Sequence, residues 1–200
     1  MAYYSAPAMD AGALDGLYQL LAIGQHFVAF DFETTGLSPA SDRVVEIGAV
    51  RFVLREQGEQ WLPEVLGTYH TLVHPGRSIP AAASAVHGIY DLDIAGEPAF
   101  SNVAAEFFTF LDGAVLLAHN APFDCGFLQA EAARAGLAVP ANPVYDTIAL
   151  ARAARPRLPS YSLRNLAAGF GIRQSKAHSG DDDAKVCMEI FGRCVRLLYG

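Results

Sequence analysis

The sequence predicts a single α/β domain in which a mixed β-sheet is flanked by helices. Two observations lead to this prediction. The first half of the chain carries consecutive strand patterns, whereas the second half alternates short apolar runs with helical patterns, and this order favours a mixed sheet covered by helices. The chain has 200 residues, 52% of them hydrophobic, without an internal repeat or a low-complexity linker, which suits one domain with a full core.

Residues 1–25 are predicted to form an N-terminal extension in front of a domain that covers residues 26–200. Within the extension, apolar side chains at helical spacing predict a short amphipathic helix over Met9–Ile23. This helix could pack on the domain or on a partner protein, and the sequence leaves both options open.

Three consecutive strands are predicted next, and we expect them to form an antiparallel meander. The first strand begins at Phe27 and is apolar for four residues before it reaches two carboxylates. The second strand covers Val44–Val53, and the third covers Leu66–Val73. Glycine and proline mark the ends of the first and third strands, at Gly36-Leu37-Ser38-Pro39 and Pro75-Gly76.

The remaining elements alternate between helices and strands. The predicted elements are a small-residue helix within the segment Ile79–Ile89, helix Phe100–Leu111, strand Ala114–Ala118, a helix after Asn120, strand Val144–Tyr145, helix Thr147–Ala153, helix Leu163–Phe170 and helix Asp183–Leu198. Asn120 suits a helix N-cap and Pro122 suits the first helical turn. Asp146 is interpreted as the cap of the helix that begins at Thr147. In the last helix, the spacing puts five residues on the inner face: Asp183, Cys187, Ile190, Cys194 and Leu198.

Two carboxylates at the end of the first strand are the most informative feature of the sequence. Asp31 and Glu33 point to the same face because alternate strand residues do, at a separation of about 6.5–7 Å. Two bare negative charges at the end of a core strand are costly, so a cation is expected to meet them. Oxygen ligands without a nearby cysteine favour Mg²⁺ or Mn²⁺. The alternative is a strand end with two solvated acids.

Two further acids lie where they could join this pair. Asp124 shares a helix face with the apolar residues Phe127 and Leu128, so a carboxylate lies among core positions. The alternative is a first-turn acid that stabilises the helix dipole. Asp183 falls on the inner face of the last helix, whereas the two aspartates before it suit the helix N-terminus. Because ligands gather beyond the strand ends in such folds, we expect these acids to meet in space.

The charge distribution bears on whether the chain binds nucleic acid. A net charge of −7 argues against a nucleic-acid binder, which normally has a basic surface. The segment 151–176 weakens that objection because it carries six basic residues and no acidic one: Arg152, Arg155, Arg157, Arg164, Arg173 and Lys176. A solvated basic face is the alternative interpretation of this segment.

Membrane insertion and secretion are not expected. No apolar run reaches the roughly 18–20 residues that span a membrane, and the N-terminus lacks the basic and apolar regions of a signal peptide. The three cysteines are odd in number and lack metal-ligand spacing: Cys125, Cys187 and Cys194. Buried free thiols in a reducing cytoplasm are therefore expected.

Three segments together resemble the 3′–5′ exonuclease superfamily whose members carry four acids and a histidine (DEDDh). The segments are Asp31-Phe32-Glu33-Thr34-Thr35-Gly36 with Val45-Glu46-Ile47-Gly48-Ala49, His119-Asn120-Ala121-Pro122-Phe123-Asp124, and His178 with Asp183 five residues later. Shorter stretches between them are also similar: His87-Gly88-Ile89, Asp146-Thr147 and Tyr161-Ser162-Leu163. The likeness is strongest to the proofreading epsilon subunit of bacterial DNA polymerase III and its stand-alone relatives, over about residues 26–199. One departure is Gly180, where many relatives carry alanine.

The resemblance implies a ribonuclease H-like mixed sheet and the metal-dependent release of nucleoside 5′-monophosphates from DNA 3′ ends, in proofreading or repair. It implies two divalent cations, Mg²⁺ or Mn²⁺, which are held by Asp31, Glu33, Asp124 and Asp183. By the same resemblance, Asp31 bridges the ions, Glu33 and Asp183 hold the ion on the nucleophile side, and Asp124 supports the other partly through water. His178 would accept the proton of the attacking water.

The resemblance also implies a substrate pocket and partners. The pocket residues are Thr34, Thr35, Gly36, Leu37, His87, Asn120 and Phe123, with core packing as the alternative for Leu37 and Phe123. The implied partner is a frayed, single-stranded 3′ end of DNA, and a DNA polymerase subunit is a possible second partner. The basic segment 151–176 is the candidate for contacts with the nucleic-acid backbone.

Two other functions stay open from the sequence. The same reaction on RNA or short oligoribonucleotides would need a contact to the 2′-hydroxyl, which the sequence does not locate. A non-catalytic nucleic-acid-binding subunit would be expected to have lost at least one of the five implied catalytic residues, and all five are present.

Overall fold

The computed structural model describes residues 9–58, 60–175 and 179–200. Within these residues, one five-stranded sheet has the order β3-β2-β1-β4-β5. The strands are β1 Phe27–Thr34, β2 Val44–Gln57, β3 Gln60–Leu72, β4 Val115–Ala118 and β5 Val144–Asp146. The helices are α1 Ala11–Ala22, α2 Ala81–His87, α3 Phe100–Leu111, α4 Ala121–Arg134, α5 Thr147–Ala154, α6 Leu163–Phe170 and α7 Gly180–Tyr199.

The first three strands pair antiparallel, and β4 and β5 add parallel to β1. The sheet is therefore mixed, and the predicted fold class is confirmed. Strands β1, β4 and β5 point their carboxyl ends to the same edge of the sheet, which is the edge where ligands gather in such folds. We call it the functional edge.

Alternate residues of β1 build the two faces of the core. Phe27 and Ala29 pack in the cluster that contains the buried side of α7, whereas Val28, Phe30 and Phe32 pack in the cluster that contains α3 and α4. This alternation follows from the pleat of the strand. The side chains of Asp31 and Glu33 therefore continue the face that α7 covers.

Strand β1 extends beyond its neighbour β4. Their pairing covers only Phe27–Ala29 of β1, so the residues that follow have no β4 partner. The first turn of α4 occupies this space, and Asp124 Oδ1 accepts a hydrogen bond from the Phe32 N–H at 3.0 Å. A carboxylate from α4 thus takes the place of a strand partner at the functional edge.

The helix in the N-terminal extension packs on the domain, which is one of the two options that the sequence left open. Leu17 is fully buried in the same core cluster as α7. Tyr199 Oη donates a hydrogen bond to the Leu14 carbonyl at 2.8 Å, and its ring lies 5.5 Å from that of Tyr18. In the described part of the chain, no helix is both long and apolar enough to cross a membrane.

Several element bounds differ from the sequence prediction. β2 and β3 form a longer hairpin, which continues to Gln57 and Gln60 beyond the core. Apart from Trp61, which packs on the core, the outer end carries mainly exposed side chains, such as the Arg55–Glu64 pair at 2.9 Å, and hydrophobic alternation does not reveal it. Helix α7 begins at Gly180, whereas the sequence prediction began it at Asp183. The apolar pattern behind the prediction does not include the acidic first turn of the helix.

Candidate active site

Three carboxylates meet at the functional edge of the sheet. Asp31 and Glu33 come from the end of β1, and Asp183 comes from the first turn of α7. One oxygen from each of them lies within 4.8 Å of the others. Such a set of closely spaced carboxylate oxygens suits a hard divalent cation such as Mg²⁺ or Mn²⁺. The expectation that acids distant in sequence meet in space is confirmed for these three.

The electrostatics of this cluster show why it suits a cation. Burial raises the pKa of Asp31 to about 8, with repulsion from Asp183 and Glu46 adding to the shift. Burial likewise raises the pKa of Glu33 to about 9, and Asp31, Asp183 and Glu46 add repulsion. The ionised cluster is therefore unfavourable by itself. A divalent cation would offset the repulsion, and the residues fit such an ion.

Asp124 lies beside the cluster and does not complete it. Its side chain is 2% exposed, and one of its oxygens already accepts from the Phe32 N–H. Burial raises the pKa of Asp124 well above its ordinary value, and Asp31 and Glu33 add to the shift by repulsion. Asp124 is thus near enough to interact with both acids. Its position on α4, with one oxygen committed to β1, suits support of a cation at longer range.

The loop after β1 is held in one shape by its own side chains. Thr34 Oγ1 donates to the Gly36 carbonyl at 2.6 Å, and Thr35 Oγ1 accepts from the Arg43 N–H at 3.0 Å. A Cβ at Gly36 would lie 2.5 Å from the Asp42 carboxylate, so a side chain there would displace Asp42, which accepts from the Ser38 N–H. Leu37 is 84% exposed, which makes the core-packing alternative for this residue wrong.

The other predicted pocket residues lie at two elements, the start of α4 and the end of α2. Asn120 and Phe123 flank the start of α4, where Phe123 contacts the ring of Phe127 at 5.0 Å. His87 is the last residue of α2; it is 4% exposed, and its Nδ1 accepts from the Ile89 N–H at 3.1 Å. The ring of His87 is therefore used in the turn after α2. His178 lies outside the described residues.

The start of α4 differs in detail from the prediction. Asn120 is the N-cap as expected, but it adopts a left-handed conformation with φ of 68° and its side chain makes no capping bond. Its backbone N–H donates to Asp146 Oδ1 at 3.2 Å instead. The same oxygen accepts from the Ile148 N–H at 2.8 Å, so Asp146 caps α5 as predicted. His119 Nδ1 lies 2.8 Å from Thr147 Oγ1.

Sequence reasoning missed residues that place Asp183 relative to β1. Gln174 Nε2 donates to Asp183 Oδ1 at 2.5 Å. Glu46 Oε2 accepts from the Gly180 N–H at 2.9 Å, and Gly48 contacts the backbone of Gly180 closely. Glu46 interrupts the otherwise uncharged first half of β2, residues 44–50, and this was a signal available in the sequence. Gln174 gave no comparable signal.

Comparison with known proteins identifies the class to which this fold and acidic cluster belong. The chain matches the RNase_T family, described as Exonuclease, over residues 28–191. It is 40% identical over 176 residues to DNA polymerase III subunit epsilon of Treponema pallidum, an alignment that covers 86% of this chain and 78% of that protein. This chain therefore belongs to the exonuclease family. The recognition and the enzyme class expected from the sequence, an exonuclease, are confirmed.

Two further similarities have a more limited reach. A DNA polymerase III subunit epsilon-like protein of Rhodobacter capsulatus is 41% identical over 175 residues, or 86% of this chain, but the match spans only 24% of that protein. Exonuclease I of E. coli, solved in complex with a dT13 oligonucleotide, superposes with a TM-score of 0.73 at 22% identity, over 86% of this chain and 41% of that one. The second similarity supports the fold.

Proposed function

We propose that this chain is a divalent-metal-dependent 3′–5′ exonuclease that releases nucleoside 5′-monophosphates from DNA 3′ ends. The observation that carries the proposal is the three-carboxylate cluster at the functional edge of an exonuclease-family chain. Bound there, two Mg²⁺ or Mn²⁺ ions would supply an activated water and relieve negative charge on the phosphate and the leaving oxygen. The raised pKa values of Asp31 and Glu33 support the need for such cations.

The protein residues divide the work of binding these ions. We assign Asp31 to both ions because it lies on β1 beside Glu33 and interacts with Asp183 and Asp124. Glu33 and Asp183 would hold the ion on the side of the attacking water. Asp124 would support the other ion partly through water, in keeping with the hydrogen bond that occupies one of its oxygens. His178 is proposed to accept the proton of the attacking water, since an imidazole titrates near neutral pH.

The loop after β1 is proposed to grip the terminal nucleotide. Its hydrogen bonds fix the backbone of Thr34, Thr35 and Gly36 before substrate arrives, and Leu37 stands exposed at its tip. A preorganised loop loses little conformational freedom on binding. Asn120, Phe123 and His87 are proposed to line the same pocket.

The basic segment 151–176 is proposed to bind the nucleic-acid backbone. All five of its arginines lie in the described part of the chain and are exposed: Arg152, Arg155, Arg157, Arg164 and Arg173. Two other residues of the segment contact the surroundings of the acids: the Tyr161 backbone hydrogen-bonds with the His119 ring, and Gln174 Nε2 donates to Asp183 Oδ1. These two contacts support the proposal that the segment runs close to the acidic cluster. We expect the affinity for DNA to fall with rising salt. Each Arg→Gln change should reduce by about one the slope of the logarithm of the affinity against the logarithm of the salt concentration.

The experiment that tests the proposal is the digestion of matched DNA and RNA strands. Each strand carries a label at the 5′ or the 3′ end, and each is incubated with Mg²⁺, Mn²⁺ or EDTA. We expect a 5′-labelled DNA primer with a mismatched 3′ end to shorten stepwise only with a metal ion. The 3′ label should appear at once as a nucleoside 5′-monophosphate.

The same experiment separates the alternatives. Preferred digestion of RNA would retain the reaction and replace the substrate. Loss of nucleotides from the 5′ end would overturn the assigned direction. Binding without cleavage of either strand would support a non-catalytic binding subunit, and the Asp31→Asn variant serves as the inactive control.

We also propose that the chain acts in the cytoplasm and associates with a DNA polymerase subunit. Support for the partner comes from the relatives that are named as subunits of DNA polymerase III. Support for the compartment comes from the three buried free thiols. Co-purification of the chain with a polymerase catalytic subunit from its own source would support the association, and its absence from such a complex would contradict it.

A further inference from the structure

Glu46 is a buried carboxylate that the proposed mechanism does not use. It lies in β2 directly opposite Glu33 of β1, and it is 5% exposed. Burial of a carboxylate is costly unless each of its oxygens has a partner. Glu46 meets that condition: its Oε1 lies 2.7 Å from His70 Nε2, and its Oε2 accepts from the Gly180 N–H at 2.9 Å.

The bond to Gly180 acts as a cap that comes from a distant strand. Gly180 is the first residue of α7, and the N–H groups of a first helical turn have no partner within the helix. Ser179 is the N-cap of α7, but its side chain makes no capping bond. The Glu46 carboxylate, 134 residues earlier in the chain, provides the missing acceptor. The start of α7 is therefore fixed to β2 by a side chain of β2.

The neighbouring contact makes this attachment close. Gly48 lies opposite Asp31 in the sheet, and a Cβ at Gly48 would lie only 2.0 Å from the Gly180 carbonyl carbon. The backbone of α7 thus rests against β2 at a glycine, and the bond from Glu46 holds it there. Asp183 follows three residues later on the same helix, so its distance from Asp31 depends on this attachment.

We propose that Glu46 is a positioning residue of the metal site, whose carboxylate fixes the start of α7 and thereby places Asp183 against Asp31 and Glu33. The activity measurement that tests this inference rests on the proposed function, whereas the Mn²⁺ measurement does not. The charge of Glu46 is a disadvantage at this place, because it repels Asp31 and Glu33. The hydrogen-bonding reach of the side chain is the property that matters, and its negative charge is not.

Two conservative variants separate reach from charge. Glu46→Gln keeps the length of the side chain and an oxygen that accepts from the Gly180 N–H, but it removes the charge. Glu46→Asp keeps the charge, but it is one methylene too short to span the same distance. Glu64→Gln, at an exposed carboxylate of β3, is the matched surface control.

Circular dichroism first establishes that each variant is folded. Calorimetry then gives its Mn²⁺ affinity, and primer digestion gives kcat and KM for DNA hydrolysis. Glu46→Gln should stay within about threefold of the unmodified protein in both measurements. Glu46→Asp should bind Mn²⁺ at least about tenfold more weakly and lose about 10–100-fold in kcat, with KM for DNA nearly unchanged.

The reverse order, with Glu46→Asp active and Glu46→Gln inactive, would overturn the proposal and make the charge of Glu46 the essential property. Equal activity of both variants with the unmodified protein would also overturn it. Because the Mn²⁺ titration needs no hydrolysis, it tests the positioning role even if the unmodified protein cleaves no DNA. The failure of the proposed function and the failure of this inference are therefore distinguishable.

Discussion

The contact between β2 and the start of α7 leads to a quantitative prediction for Gly48→Ala. The added Cβ would lie 2.0 Å from the Gly180 carbonyl carbon, 2.1 Å from its oxygen and 2.3 Å from the Asp181 nitrogen. All three atoms belong to the backbone, so no side-chain rotation relieves the overlap. Carbon atoms in contact lie about 3.5–4.0 Å apart, so α7 must move away by about 1.5 Å.

This displacement acts on both stability and activity. Overpacking of this kind costs about 1–3 kcal/mol in the free energy of unfolding. The first turn of α7 carries Asp183, whereas Asp31 and Glu33 stay on β1. A misplacement of about 1 Å at a catalytic group costs about 10²-fold in rate, so kcat for DNA hydrolysis should fall by about two orders of magnitude.

The assay compares Gly48→Ala with Gly67→Ala. Gly67 is a strand residue of β3 at which an added Cβ would meet only Phe110, at an ordinary 3.7 Å. Urea unfolding gives the stability of both variants, and primer digestion gives kcat. We expect the control variant to match the unmodified protein in both. A Gly48→Ala variant with near-normal kcat and Mn²⁺ affinity would refute the claim that the contact between β2 and the start of α7 sets the geometry of the site.

Four further outcomes are expected. In EDTA the folded state holds protons on Asp31 and Glu33, because their pKa values are raised to about 8 and about 9. The stability that these protons contribute is therefore present below about pH 4 and is lost as the pH rises through about 8 and 9. Thermal unfolding should show this fall, and added Mn²⁺ should raise the melting temperature more at high pH. Asp31→Ala and Asp183→Ala should abolish primer digestion with circular dichroism unchanged, and residual activity would contradict the metal-site assignment. His178→Ala should slow turnover severely and leave Mn²⁺ affinity in calorimetry unchanged; a near-normal rate would remove it as the base. Leu17→Ala should lower the unfolding free energy by about 2–5 kcal/mol, since Leu17 of α1 is fully buried in the core cluster that also contains the inner side of α7; an unchanged urea midpoint would show that α1 adds no stability to the domain.

The part of the fold that the sequence predicts well depends on local hydrophobic pattern. Helix α3 and helix α6 begin and end at the predicted residues, because apolar positions recur at helical spacing between clear breaks. The two acids of β1 share a face because alternation in a strand is a local property. The inner face of α7 is also as predicted from Asp183 to Cys194, whereas Leu198 is only partly buried at the rim of the core.

The parts that the sequence did not reveal depend on contacts between distant segments. The start of α7 is fixed by Glu46 and Gly48 of β2, and no local pattern connects residues so far apart. The outer half of the β2–β3 hairpin is held by backbone pairing and by Leu54 and Trp61, which pack on the core, but its other side chains are largely exposed, so hydrophobic alternation does not mark it. The exposure of Leu37 follows from the loop bonds around Thr35 and Asp42, which become visible only in three dimensions.

The central claim is that Asp31, Glu33 and Asp183 form a divalent-cation site. Its most direct test is a calorimetric titration of Mn²⁺ into the unmodified protein and into Asp183→Asn at neutral pH. We expect saturable binding that releases protons, because the carboxylates hold them before the cation binds, and we expect binding to Asp183→Asn to weaken at least about tenfold with less proton release. Equal Mn²⁺ affinity of the two proteins, or no saturable binding to the unmodified one, would contradict the account.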